Sequence, residues 1–149
     1  MKDELTFLFN ALQIGLISSE EVITWADNQI EKSQYPNDLL IELSLTSNAF
    51  DIPSLLLTLG GSREIADTEF LALISGGYFK NRISVSKSVS LLMKRFCFNE
   101  DTEIQDIQEE IYIIDVELEW NKSKAIQRLE VFLKKYTPIF VEKFESYFN

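Results

Sequence analysis

Apolar residues spaced three and four apart recur along this 149-residue chain, and that period is the signature of amphipathic helices. Leu5, Leu8, Phe9, Leu12 and Leu16 share one face, which predicts a first helix over residues 3–14 that stops at Gly15. Ser18 and Glu21 have capping-box spacing and open a second helix carrying Val22, Ile23, Ala26 and Ile30. Pro36 takes a first-turn position ahead of Leu39, Leu40, Leu43 and Leu45. Asp51 is the expected cap of a fourth helix, with Pro53 in its first turn and Gly60-Gly61 as its stop. Ser62 restarts a helix bearing Ile65, Ala66, Phe70, Leu71 and Ile74, which Gly76-Gly77 should end. Ser84 or Ser86 caps the next one, with Val85, Val89, Leu92, Met93 and Phe96.

Thr102 and Gln105 form another capping-box pair, followed by Ile104, Ile107, Ile111, Ile114 and Leu118 in three-four steps. Within that run Val116-Glu117-Leu118-Glu119-Trp120 alternates strictly and admits a strand; the three-four spacing lasts longer than the alternation and favours helix. The last apolar series, from Ala125 to Phe148, is expected to be kinked or split at Thr137-Pro138. No long linker or low-complexity tract divides the chain. The expectation is an all-α fold, one domain over residues 1–149, an irregular bundle of seven to eight helices.

Charge is sorted along the chain. Nine carboxylates lie between Asn99 and Glu119 with no Lys or Arg among them, whereas Tyr78 to Arg95 holds Lys80, Arg82, Lys87, Lys94 and Arg95 and no acid. Such blocks repel themselves, so they require either full solvation or a partner of opposite sign. The net charge of −10 argues against nucleic acid and against anionic membranes, and points to a basic protein as the partner.

Several chemistries lack their residues. The chain has no histidine, so the commonest general base and transition-metal ligand are missing. No phosphate-binding glycine loop, zinc spacing or calcium loop occurs. Asp106 with Glu109 or Glu110 shares a helix face, but di-metal helical bundles add a Glu-x-x-His motif that this chain cannot supply. The single cysteine, Cys97, lies between Phe96 and Phe98 and reads as a small buried hydrophobe. The chain is therefore expected to be no enzyme, with no catalytic residue, metal or cofactor. Its first residues carry no basic stretch followed by an apolar run, and no run is long enough to span a membrane, so a cytoplasmic location is expected.

The stretch from Gly15 to Asp27, continuing through Pro36 to Ile41-Glu42-Leu43-Ser44, resembles the N-terminal portion of small bacterial immunity proteins. These accompany polymorphic toxins, including those of contact-dependent growth inhibition. The resemblance covers the first third of the chain and consists of helix caps and core positions. It implies a cytoplasmic, non-enzymatic protein that binds and neutralises a cognate toxin domain, a basic protein and often a nuclease. No interface residue is carried over, because such proteins diverge most where they meet their toxins.

The charge pattern assigns the contact independently. A nuclease presents basic groups to phosphate, and dense carboxylates can occupy that surface and speed encounter. The expected partner-binding residues are Glu100, Asp101, Glu103, Asp106, Glu109 and Glu110, then Glu117, Glu119 and Trp120, with Glu20, Glu21 and Asp27 behind them. A tryptophan on a helix ordinarily completes the core, which is the first expectation for Trp25 and Trp120. The aromatic cluster of Tyr136, Phe140, Phe144, Tyr147 and Phe148 is likewise expected in the core. The alternative to toxin binding is a helical structural or regulatory module that forms a homodimer by pairing residues 78–95 with 99–119.

Overall fold

Hydrophobic burial along the three-four stripes, and caps at the helix ends, account for most of the architecture. The computed structural model describes residues 1–98 and 105–148, Gln105 by its backbone alone. Among these residues there are nine α-helices and no strand. The chain divides into two compact units, Met1–Ala66 and Asp67–Asn149.

In the first unit, α1 (Lys2–Ile14) stops at Gly15, whose φ of +88° is a left-handed conformation that glycine adopts without strain. The next helix, α2 (Ser19–Lys32), begins on the expected reciprocal box: Ser18 Oγ accepts from the Glu21 amide and Glu21 Oε1 from the Ser18 amide, both at 3.2 Å. Trp25 is half-buried, its indole N–H donating to Glu4 Oε1 at 2.8 Å. Asn37 caps α3 (Asp38–Leu45) by accepting from the Leu39 amide, which places Pro36 ahead of the helix and not in its first turn. Helices α2 and α3 pack together, and α4 (Ile52–Thr58) packs on α1 and α3.

Besides Pro36, two expectations about this unit are corrected. Asp51 caps nothing with its side chain; it ends a 3-10 turn, Ala49–Asp51, which is itself capped by Asn48 and runs straight into α4. Ser62 starts no helix. Its amide donates to Thr6 Oγ1 and its carbonyl accepts from the Asn10 side chain, both at 3.0 Å, so α1 holds the backbone groups a helix start would have to orient. Residues 62–66 stay irregular, and the helix begins at Asp67.

The second unit is organised on α5 (Asp67–Phe79), in which every residue from Phe70 to Gly77 is buried. A helix that is apolar all round belongs inside, and α6, α8 and α9 pack on it. Gly76 and Gly77 lie within α5 and do not end it, because the Phe140 ring of α9 occupies the space a side chain at Gly76 would fill. Beyond Phe79, the Gly77 carbonyl accepts from the Arg82 amide at 2.8 Å, and Asn81 takes the left-handed position at φ +58°. Ser84 caps α6 (Val85–Leu92), which widens into a π turn over Met93–Cys97.

The longest helix, α7 (Gln105–Trp120), is helical through the segment that alternates like a strand. Asn121 alone connects it to α8 (Lys122–Lys134), and the two form a hairpin with extensive contact. Lys135 and Tyr136 then separate α8 from α9 (Thr137–Lys143), so the last helical series is split at the expected place. A 3-10 turn, Glu145–Phe148, follows. Phe140 and Phe144 are buried, Tyr136 and Phe148 half-buried, and Tyr147 is exposed. The Ser75 hydroxyl, fully buried, reaches the Leu133 carbonyl at 2.9 Å and Thr137 Oγ1 at 3.0 Å, tying α5 to the junction of α8 and α9.

Candidate functional site

The orientation of α7 decides which of its side chains a partner can meet. Ile111 and Ile114 are fully buried, and Ile107 and Leu118 half-buried, so the predicted isoleucine stripe is the inward face. The opposite face is not uniformly acidic. Tyr112, Ile113, Val116 and Trp120 are 59, 44, 42 and 84% exposed and follow one another down the helix at short spacings, with exposed Glu109 at the head of the series. At 100° per residue this apolar line occupies the solvent side. Asp106, Glu110 and Glu117 border one edge, and Asp115 and Glu119 border the other.

The expected binding residues are therefore distributed as follows. Glu100, Asp101 and Glu103, with the Thr102 cap and Ile104, lie outside the described residues. Asp106, Glu109, Glu119 and Trp120 are exposed on α7, and among the described residues no ion pair engages those three carboxylates. Glu110 is half-buried. Glu117 differs from the rest. Its side chain is 19% exposed, with Arg128 Nε 2.7 Å from Oε2 and Lys124 Nζ 3.8 Å from Oε1, both cations coming from α8.

The Glu117–Arg128 approach is close but lacks hydrogen-bond alignment, so it acts through charge alone. Its role is to hold the α7–α8 hairpin. Glu117→Ala is expected to destabilise the fold by about 1 kcal/mol, between the values for exposed and buried pairs, as read by urea unfolding. Of the third group, Glu20 is exposed on α2, Glu21 serves the capping box, and Asp27 accepts from the Ser44 hydroxyl.

Beside the head of the apolar line lies a depression of about 370 Å³ lined by Cys97, Gln108, Glu109, Tyr112 and Ile113. The π turn shapes it: Gln108 Nε2 donates to the Phe96 carbonyl at 2.6 Å, and the Cys97 thiol sits 3.7 Å from the Gln108 carbonyl. Burial and the nearby Asp115 charge push the Cys97 thiol upward in pKa, the direction opposite to nucleophile activation. A second groove, between α6, the π turn and the far half of α7, is walled by Val89, Met93, Phe98 and Leu118 with Asp115 and Glu119 at its margin.

Trp120, expected first in the core, is instead 84% exposed, because α7 turns its isoleucine stripe inward; the sequence reading named the acids and Trp120 as contact residues but not Tyr112, Ile113 and Val116. The signal was present: these are the apolar residues of α7 that fall off the isoleucine stripe, and with Glu109 and Trp120 they repeat at i, i+3 or i+4, i+7 and i+11. Of the basic segment, Lys80 pairs with Glu145 and Arg95 with Asp67, each at 3.0 Å within the second unit. Among the described residues no cluster of acids or cysteine could hold a metal ion, and no helix is long and apolar enough to cross a membrane. No family model, curated protein or solved structure matches this chain.

Proposed function

We propose that this protein is an immunity protein: a cytoplasmic, non-enzymatic inhibitor that binds a cognate toxin domain, a basic protein with nuclease character, and occludes its working surface. The observation that carries this reading is the outer face of α7, where Asp106 and Glu109 near its start and Glu119 beside Trp120 at its end stand exposed with no ion pair among the described residues. Unpaired carboxylates at the surface steer a cationic partner, and an exposed tryptophan provides an anchor once contact is made. The helical resemblance of the first third of the chain supports the same reading.

The homodimer alternative depends on cations of residues 78–95, and Lys80 and Arg95 already have internal partners. That leaves self-pairing with less free charge than toxin capture has.

The reading requires a secreted toxin with a variable C-terminal domain encoded immediately upstream, and its absence would remove most of the support; where it is found, that domain, purified in catalytically inactive form, is the binding partner for the test. Asp106→Lys with Glu109→Lys is expected to slow association about tenfold or more at low ionic strength, with the helical spectrum unchanged. An unchanged association rate removes this face as the steering surface. A toxin domain that does not bind the unaltered protein removes the function.

A further inference from the structure

We propose that the outer face of α7 is a docking surface for an amphipathic helix of the partner, one with an apolar stripe bordered on both edges by lysine or arginine. The inference rests on the toxin-binding reading and specifies the element of the partner that is recognised. Carboxylates alone would fit any cationic surface. The arrangement here is more selective, because Tyr112, Ile113, Val116 and Trp120 run down the middle and the acids stand on either side.

From Tyr112 to Trp120 the apolar line covers a little over two helical turns, roughly 12 Å at 1.5 Å per residue. That length suits anchors at i, i+3 or i+4 and i+7 on a docked helix. The depression by Tyr112 and Ile113 gives an anchor side chain a place to enter, and among the described residues its walls include no cation. Charge complementarity fixes the occupant's edges. Asp106 on one side and Glu119 on the other are exposed, with half-buried Glu110 and Asp115 beside them, and these carboxylates call for positive groups opposite. An acidic or uncharged helix would meet this border unfavourably, and a bare phosphate-binding cleft would leave the apolar line uncovered.

The experiment uses a synthetic peptide of about five helical turns, leucine on one face and lysine and arginine along its edges, against a scrambled peptide of identical composition with no apolar face. Binding is followed by tryptophan emission, with Trp120→Phe identifying the responding indole. The patterned peptide is expected to bind with a blue shift that Trp120→Phe abolishes, and Ile113→Asp and Val116→Asp should each weaken it about tenfold or more. Circular dichroism checks that both variants keep their helicity; if either does not, Trp120→Ala, which removes a ring 84% exposed, takes its place. Equal binding of the scrambled peptide, or indifference to the apolar substitutions, overturns the inference. So does a dimer, seen by sedimentation, that Ile113→Asp dissociates, since a second copy would then be the occupant.

The two readings fail separately. A toxin domain whose binding responds to Asp106→Lys with Glu109→Lys but not to Ile113→Asp or Val116→Asp sinks the helix-docking inference and leaves the immunity function standing. Capture of the patterned peptide through Val116 and Trp120, with no binding of the toxin domain, does the reverse.

Discussion

Replacing Gly76 with alanine is expected to lower the unfolding free energy by about 2 kcal/mol, read as a shift of the urea midpoint with an unchanged slope. Two effects compete. Alanine in a helix interior is favoured over glycine by about 1 kcal/mol. Against this, the new methyl group would fall on the Phe140 ring, where three ring carbons already occupy the space. Phe140 is buried, and its ring is held among Phe144, Phe148 and Lys80, so it cannot turn aside freely. Overpacking of this kind costs about 3 kcal/mol, which outweighs the helix preference. Trimming the ring supplies the control: in the Gly76→Ala background, Phe140→Leu should recover part of the loss, whereas in the native background the same change only removes contacts. A Gly76→Ala protein as stable as the native one would mean that α9 does not seat against α5 at this point.

The same glycine marks the boundary of what the residues alone disclose. Local signals were legible: Gly15, the Ser18–Glu21 box, Ser84 and the break before Thr137 all act where spacing and cap chemistry place them. They are legible because each is decided within one helical turn. Gly76-Gly77 looks locally like Gly60-Gly61, and the difference between a helix end and a buried close approach comes from Phe140, 64 positions later. Ser62 fails for a similar reason, since Thr6 and Asn10 of α1 take its backbone groups. Asp51 lost its role to a better-placed neighbour, Asn48, whose side chain starts a tighter turn.

The candidate site was half legible. Carboxylates reveal themselves by composition, so their concentration after Asn99 needs no structure. Which of them remain available does. Glu117 is drawn against Arg128 and Lys124 because the hairpin brings α8 alongside, a fact invisible in a list of charges. The apolar line was missed for another reason: a helix with four isoleucines and a leucine invites assignment of all its apolar residues to one core, although one face cannot hold them all.

Ile114 and Ile113 turn that point into the second large prediction, and neighbouring isoleucines should differ sharply. Ile114 is 1% exposed and lies on the face turned inward with Ile111, so Ile114→Ala removes three carbons from a filled space and is expected to cost about 3 kcal/mol in unfolding free energy. Ile113 is 44% exposed, and Ile113→Ala should change stability by no more than about 0.5 kcal/mol. Both replacements raise helix propensity by the same small amount, so the contrast reports rotation of α7 about its axis and nothing else. Binding should invert the order. Ile113→Ala is expected to weaken the patterned peptide although it leaves the fold intact, whereas Ile114→Ala, once refolded and stable enough to assay, should bind almost as the native protein does. If Ile113 proves the costlier of the two for folding, α7 presents a different face to solvent, Tyr112, Val116 and Trp120 lose their common exposure, and no partner helix can be placed on them.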